Sequence, residues 1–403
     1  MSTAKISLSP SVKAPGSVTT GASLLNKDGP EIVLGWVETE FAVSNAPSPS
    51  VLFGPRGACL LPDGSLWVAD TGHHRLLGWK TGPKVDNQPA DLLIGQPDFV
   101  SEGRNAKGAA NASTLNVPTG VSPWGKGLAV ADAWNHRVLL WKTVPVDDNQ
   151  PADIILGQIN ANDVLANFGK DQPQANSMHW PYGVAEIDGR LVVSDSGNRR
   201  VLVWNDPEVT GQPTDLVIGQ ATFDERHENA GQEVGPAGMR WPHATAFWNG
   251  HFAVTDAGNN RVMLWTGFPT QNGQACDLVL GQSDFSECDH NQKAYYPDAK
   301  ALNMPYAITV NGDQLLVADT ANSRLLGWQD CAMNSDANRL MAQPDFASKG
   351  DNGWGVARRD SVCWPYGLTC HDGMAVVSDS GNNRILLWRI RSEEHTSELQ
   401  SLA

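Results

Sequence analysis

The chain has no Cys-x-x-Cys pair, no apolar run of 18 residues and too little positive charge to coat a polyanion. Its six cysteines, Cys59, Cys276, Cys288, Cys331, Cys363 and Cys370, fall at irregular spacings, which argues against a zinc module or a disulfide framework. The missing apolar run removes the signature of a membrane-spanning helix. The first eighteen residues, MSTAKISLSPSVKAPGSV, are mainly polar and lack the basic-then-apolar order of a secretory leader. Together these absences set the expectation of a cytoplasmic protein with no membrane contact. Residues 1–30 are expected to be disordered, since little there can pack. Lys and Arg number 29 against 44 Asp and Glu, a net charge of −15, which disfavours non-specific binding to nucleic acid.

The last residues carry a second exclusion. Arg391 to Ser401 reads RSEEHTSELQS, which resembles the conceptual translation of a sequencing-adapter oligonucleotide. Residues 391–403 are therefore expected to be foreign to the fold. Without Arg391, Glu393, Glu394 and Glu398 the balance is 28 to 41, a net charge of −13. The conclusion about polyanions is unchanged.

What the chain does have is a repeat. An aspartate, an arginine five residues on and a tryptophan four beyond that recur six times. The sets are Asp70/Arg75/Trp79, Asp132/Arg137/Trp141, Asp195/Arg200/Trp204, Asp256/Arg261/Trp265, Asp319/Arg324/Trp328 and Asp379/Arg384/Trp388, with successive aspartates 62, 63, 61, 63 and 60 residues apart. Such regularity means one supersecondary unit copied six times. Within a copy, DLLIGQ (91–96), VPTGVSP (117–123), GLAVADA (127–133) and RVLLWKT (137–143) read as four short strands. Asp-Gly or Asn-Gly pairs at 63–64, 188–189, 249–250, 311–312 and 372–373 suit tight hairpins. The expected fold is all-β: a six-bladed propeller of four-stranded blades over residues 31–390. The outer-strand segment EIVLGW (Glu31–Trp36) has no partners upstream, and the last three-strand set has no outer strand downstream. Pairing them closes the ring and leaves no open sheet edge.

The segments ADTGHHRLLGW, ADAWNHRVLLW, SDSGNRRVLVW, TDAGNNRVMLW, ADTANSRLLGW and SDSGNNRILLW resemble the NHL repeat, which itself builds six-bladed propellers. Trp134 in the second copy and Ala321-Asn322-Ser323 in the fifth depart from the pattern, in the turn only. His73, His74 and His136 lie where that pattern itself often has histidine. The Asp, Arg and Trp of each copy are expected to be structural, the carboxylate accepting backbone N–H groups of the following turn and the arginine. Function is expected where the copies differ.

Each innermost strand opens with Pro-x-Gly or Pro-x-Ala, at Pro55, Pro118, Pro181, Pro242, Pro305 and Pro365. The intervening residue should point at the mouth of the central channel. It is Arg56, Thr119, Tyr182, His243, Tyr306 and Tyr366 in turn, a ring suited to a small polar or aromatic ligand or to a peptide. The competing reading is that the tyrosines only plug the channel. Two acidic loop clusters, Asp224/Glu225/His227/Glu228 and Cys288/Asp289/His290, lack a spacing that favours one metal geometry. Neither metal nor cofactor is expected.

The resemblance implies a binding or scaffold module for a protein, peptide or small ligand, acting as a monomer through the face that carries the channel mouth. It implies one alternative. Related six-bladed propellers include lyases that use channel-mouth histidine, tyrosine, arginine or acidic residues with a metal, whereas this ring offers the single histidine His243.

Overall fold

The computed structural model describes residues 20–35 and 46–391; the expectations for residues 1–19, for Trp36 and for residues 392–403 lie outside it. Six sheets, antiparallel except for one added edge strand, make up the propeller, with no α-helix among the described residues. In the second blade the strands run Pro118–Trp124, Gly127–Asp132, Arg137–Trp141 and Ile154–Leu156, from the channel outwards. Each innermost strand touches the next around the circle, and the sixth returns to the first. The LxxGQ strand is thus the outer strand of the blade before it, as Leu92–Ile94 shows by pairing with Arg75–Trp79.

The sequence explains these turns locally. Asp188 and Gly189 have φ of 49° and 75°, Asn249 and Gly250 51° and 76°, and Asp372 and Gly373 47° and 70°. Two positive φ values make the hairpin whose twist matches its strands. In the first blade Leu60 pairs with Leu66, so Asp63-Gly64 lies in a longer turn of residues 61–65 and of the two only Gly64 has positive φ. The fifth blade differs as well. There Asn311 pairs with Gln314 inside the sheet, so Gly312 and Asp313 form the turn and the expected Asn-Gly pair is displaced by one residue.

Ring closure follows the expected route. Ile32, Val33 and Leu34 pair antiparallel with Leu387, Leu386 and Ile385, supplying the outer strand of the last blade. The segment before it needs a correction. Residues 20–30 are not wholly disordered, because Ala22–Ser23 runs parallel to Arg339–Leu340 as a fifth strand on the fifth blade. Leu24 and Leu25 are fully buried, Asn26 N–H donates to Arg389 O at 2.9 Å, and Trp388 Nε1 donates to Asn26 O at 2.7 Å. Two apolar side chains and a carbonyl acceptor anchor the segment across the fifth and sixth blades.

Apolar side chains gather in six clusters, one for each boundary between neighbouring blades, and each cluster holds one repeat tryptophan. Trp204 packs with Leu191, Val193 and Leu202 of its own blade and with Ala129, Leu140 and Leu156 of the second. Trp79 meets Val376 and Ile385 of the sixth blade, and Trp141 meets Trp67 and Ala69 of the first. Trp265 lies against Val192 and Val203 of the third blade, Trp328 against Trp248 and Leu264 of the fourth, and Trp388 against Leu316 and Ala318 of the fifth. These rings are not wholly apolar in their contacts. The indole N–H of Trp79, Trp141, Trp204, Trp265 and Trp328 donates to the carbonyl of Gln88, Gln150, Gln212, Gln274 and Ser335 in turn.

The Asp–Arg pairs are fully buried in all six copies. Arg75, Arg137 and Arg200 donate Nε to Asp70, Asp132 and Asp195 at 2.7, 2.8 and 2.8 Å. Arg261, Arg324 and Arg384 do the same to Asp256, Asp319 and Asp379 at 3.0, 2.6 and 2.7 Å. Asp195 Oδ2 also accepts from Asn198 Nδ2 at 2.7 Å, and its Oδ1 accepts the His179 N–H at 2.7 Å. This corrects the expected partner. The backbone donor is the loop entering the innermost strand and not the following turn, because antiparallel register sets Pro181 opposite Asp195.

The arginines reach beyond the carboxylate that the sequence pairs them with. Arg200 spreads its remaining nitrogens over the carbonyls of Phe223, Gln174 and Ser177. Arg261 binds those of Phe285, Gly235 and Gly238, and Arg324 those of Phe346, Asp298 and Ala301. Arg384 holds the carbonyls of Arg358 and Ser361. Each guanidinium thus fastens long-loop backbone to its own blade, with charge-assisted bonds in a dry setting.

The long loops carry a repeat of their own. Asn105, Asn167, Asn229, Asn291 and Asn352 all adopt left-handed φ, and each pairs its amide with an asparagine of the Asp-to-Arg turn, as Asn167 does reciprocally with Asn198 at 2.9 Å. The loop ends are thus fixed, while the residues between them are free to differ.

Candidate functional site at the channel mouth

All six innermost strands open on one face, here the upper face, together with the long loops and the Asp-to-Arg turns. Pro-x-Gly owes its glycine to crowding at this point. A Cβ on Gly183 would lie 2.1 Å from the His243 carbonyl oxygen, and one on Gly57 2.0 Å from that of Thr119. Neighbouring innermost strands come together backbone to backbone, and this brings the preceding side chains into one ring.

Five of the six expected ring residues meet there. Ring centroids of Tyr182 and His243 are 4.5 Å apart, those of His243 and Tyr306 4.2 Å and nearly parallel, and those of Tyr306 and Tyr366 4.7 Å. Arg56 closes the circle, its guanidinium 4.8 Å from the Tyr366 ring centre and donating to the Tyr182 hydroxyl. Thr119 does not join them. It is 1% exposed and its hydroxyl donates to Tyr182 O at 2.8 Å, so a short side chain here ties two strands together and leaves Arg56 room to reach across.

Burial sets the electrostatics of the ring. His243 is held down to about 4, chiefly by burial and further by Arg56, so it is neutral at physiological pH. Burial and the neighbouring phenols push the Tyr306 hydroxyl well above its ordinary range. The only permanent charge in the ring is Arg56, and it is committed to two tyrosines. Below the ring the channel encloses about 510 Å³, lined by all six innermost strands.

A second cavity of about 420 Å³ lies beside the ring on the upper face. It is lined by His179, Trp180, Tyr182, Ser196, Gly197, Arg199, Arg226, Trp241, His243 and Tyr306. Trp180 and Trp241 are 45% and 41% exposed, and Phe53 and Trp134 stand similarly exposed further round. Trp180 and Trp241 each precede the proline that opens an innermost strand, a position the sequence reading passed over. The signal was present as three Trp-Pro pairs in equivalent copies, at 180–181, 241–242 and 364–365.

The repeated Asp, Arg and Trp side chains stay out of both spaces. Arg75, Arg137, Arg200, Arg261, Arg324 and Arg384 line neither the channel nor the second cavity, and nor do Trp79, Trp141, Trp204, Trp265, Trp328 and Trp388 or the six aspartates. Being buried within and between blades, they offer a ligand no surface.

The pre-proline position is held by a clasp from the preceding blade. In five of the six copies the last residue of the Asp-to-Arg turn accepts the N–H of the next blade's pre-proline residue. His74 Nδ1 takes Val117 at 3.0 Å, His136 Nδ1 takes Trp180 at 3.1 Å and Asn260 Oδ1 takes Met304 at 2.8 Å. Ser323 Oγ takes Trp364 at 3.2 Å and Asn383 Oδ1 takes Gly54 at 2.8 Å. The five clasped residues have φ between 47° and 56°, a strained region for valine or tryptophan that the clasp holds in place. His74 and His136 thereby have a structural task.

Neither acidic loop cluster gathers into a metal site. Glu228 instead stands 2.9 Å from Arg240 Nε, and Cys288 O accepts from the Asn260 amide at 2.8 Å. Among the described residues no three His, Cys, Asp or Glu side chains are grouped to hold an ion.

The family profile of the NHL repeat matches residues 54–79, from the pre-proline glycine through the first Asp, Arg and Trp. The chain carries NHL repeats in a six-bladed propeller. No curated protein matches it in sequence. Among solved structures, a structural-genomics protein from Bacteroides thetaiotaomicron is similar over 93% of this chain and 76% of its own, at 11% identity and a TM-score of 0.50. The virginiamycin B lyase of Staphylococcus aureus is similar over 89% of this chain and 98% of its own, at 11% identity and a TM-score of 0.44. The WD40 propeller domain of Doa1 covers 91% of this NHL-repeat chain and 98% of itself, at 9% identity and 0.47. At 11% identity the first of these likenesses speaks to fold alone, and the other two add nothing to it.

Proposed function

We propose that this NHL-repeat propeller is a cytoplasmic, monomeric binding module that receives a protein, peptide or small ligand on its upper face, around the channel mouth. The observation that carries the reading is the contact ring of Arg56, Tyr182, His243, Tyr306 and Tyr366 with an aromatic-walled cavity beside it. Aromatic side chains with polar tips give large contact area at little conformational cost. Exposed tryptophans grouped on one face are a recognised mark of an interaction surface.

The alternative of a metal-assisted lyase finds less support. His243 is surrounded by rings and Arg56, with no carboxylate or second imidazole hydrogen-bonded to it among the described residues. The residues present do not fit a divalent ion, which takes about three protein ligands at a catalytic site. The test compares the intact chain with a folded Arg56→Ala/His243→Ala/Tyr306→Ala variant in a pull-down and metabolite-retention screen. The reading expects partners to be lost from the variant; identical profiles would overturn it.

A further inference from the structure

Five blade boundaries are clasped by a neutral acceptor, and the boundary between the third and fourth blades is not. There the clasp position holds Arg199, which donates and cannot accept. Trp241 accordingly turns its N–H to Asp256 Oδ1, at 3.3 Å, and is absent from the left-handed region that Val117, Trp180, Met304 and Trp364 occupy. The cavity of about 420 Å³ lies at this boundary, with Arg199 and Trp241 in its wall.

The wall is cationic in an otherwise acidic protein. Arg199 and Arg226 line it, and no carboxylate does. Arg226 is positioned by the carbonyl of Asp171 at 3.0 Å and by His179 Nδ1 at 3.3 Å, both uncharged partners given that burial and the two arginines hold His179 below its ordinary range. Arg199 donates one nitrogen to Gly197 O at 2.7 Å, while its buried Nε has no partner among the described residues. Burial first, then Arg226 and Arg240, make protonation of Arg199 harder, and the opposing pull of Glu228 does not reverse this, the mark of like charges crowded together. Nearby Arg240 already has Glu228. Arg199, Arg226 and Arg240 outnumber Glu228, the one carboxylate that acts on Arg199, so the cluster leaves a place for an anion, and planar guanidinium suits a carboxylate in particular. The aromatic sides, Trp180 and Trp241, suit a flat apolar body.

We propose that the boundary between the third and fourth blades is a binding site for a small aromatic acid, its carboxylate on Arg199 and Arg226 and its ring against Trp180 and Trp241. The proposal rests on the reading of the upper face as a ligand-binding surface and narrows it to one boundary and one chemical class.

Isothermal titration of the full chain with 2-naphthoate and with its neutral analogue 2-naphthamide tests this. Naphthoate should bind, and naphthamide should bind at least about tenfold more weakly, the loss expected from one charge-assisted contact. Arg199→Asn supplies the acceptor already used at Asn260 and Asn383, so it should restore the missing clasp. Its melting temperature should equal or exceed that of the intact chain, while naphthoate affinity falls about tenfold or more. Arg226→Gln should weaken naphthoate in the same way, and serves if Arg199→Asn does not fold. Absence of naphthoate binding, equal affinity for the two probes, or unchanged affinity in the folded variants would each overturn the proposal. The broader reading fails separately: identical partner profiles in the channel-ring screen, with naphthoate binding dependent on Arg199, would remove the ring and keep this site.

Discussion

Asp195→Ala isolates the feature on which every blade depends. In the folded chain Asp195 is fully buried and accepts three hydrogen bonds, from Arg200 Nε at 2.8 Å, Asn198 Nδ2 at 2.7 Å and the His179 N–H at 2.7 Å. Removing it leaves a buried guanidinium without its counter-ion, which costs about 3–5 kcal/mol in comparable buried pairs. The bonds from Arg200 to the carbonyls of Phe223, Gln174 and Ser177 remain and soften that loss. The freed His179 amide and Asn198 side chain add about 1–3 kcal/mol where water cannot reach them. The two together come to about 4–8 kcal/mol, and the carbonyl bonds that Arg200 keeps put the expected total at the low end, about 4 kcal/mol. Equilibrium urea denaturation followed by tryptophan fluorescence measures it, within a cycle that includes Arg200→Met and the double variant. The double variant should be more stable than additivity allows, since no charge is then left unpaired. A cost below about 1 kcal/mol, or strict additivity, would refute the argument that this ion pair organises the blade.

Other expectations follow from the same geometry. Deleting residues 20–34 removes the outer strand of the sixth blade and the added strand of the fifth, and should lower the melting temperature sharply; normal melting would contradict ring closure by Ile32–Leu34. Gly183→Ala places a Cβ 2.1 Å from the His243 carbonyl oxygen and should cost about 1–3 kcal/mol by chemical denaturation, with little loss from a control Gly108→Ala, where φ is −119° and the nearest contact is an ordinary 3.6 Å. His136 and His243 are both held to about 4 by burial, so the unfolded chain takes up protons below about 6.5 while the folded chain does not. Stability is therefore unaffected by these groups above pH 6.5 and falls as pH drops toward 4, by up to about 3 kcal/mol for each. A His243→Phe variant should show a shallower fall between those limits, and an unchanged slope in urea titrations would contradict the burial of that imidazole. Removing residues 392–403 should leave the melting temperature unchanged if that segment is foreign to the fold.

The fold was legible because its determinants recur. An Asp, an Arg and a Trp at fixed offsets, repeated about every sixty residues, specify the buried pair and the blade boundary each time, and Pro-x-Gly marks where innermost strands crowd together. The loop carbonyls that Arg261, Arg324 and Arg384 hold were not legible, since they lie 22 to 26 residues away and a backbone carbonyl is supplied by any residue type. The same periodicity located Arg56, Tyr182, His243, Tyr306 and Tyr366, since equivalent positions in a closed ring converge. Thr119 lines the channel with them but stays out of the contact ring, because its hydroxyl finds a backbone acceptor within its own reach. The clasps were hidden for a chemical reason. His74, His136, Asn260, Ser323 and Asn383 perform one task with three kinds of side chain, on partners more than forty residues away. Only once the shared acceptor role is visible does Arg199 stand out as the exception. Ala22–Ser23 was illegible because two small residues carry no strand pattern; its partner edge on the fifth blade decides it.

The central claim is that ligands reach this propeller through its upper face. Hydrogen–deuterium exchange of the full chain, alone and with the cell-extract fraction it retains, tests that most directly. The account predicts added protection at the pre-proline residues and the innermost-strand openings, around residues 53–57, 179–183 and 240–244, and none at the hairpins of residues 188–189, 249–250 and 372–373 on the opposite face. Protection confined to those hairpins would contradict it.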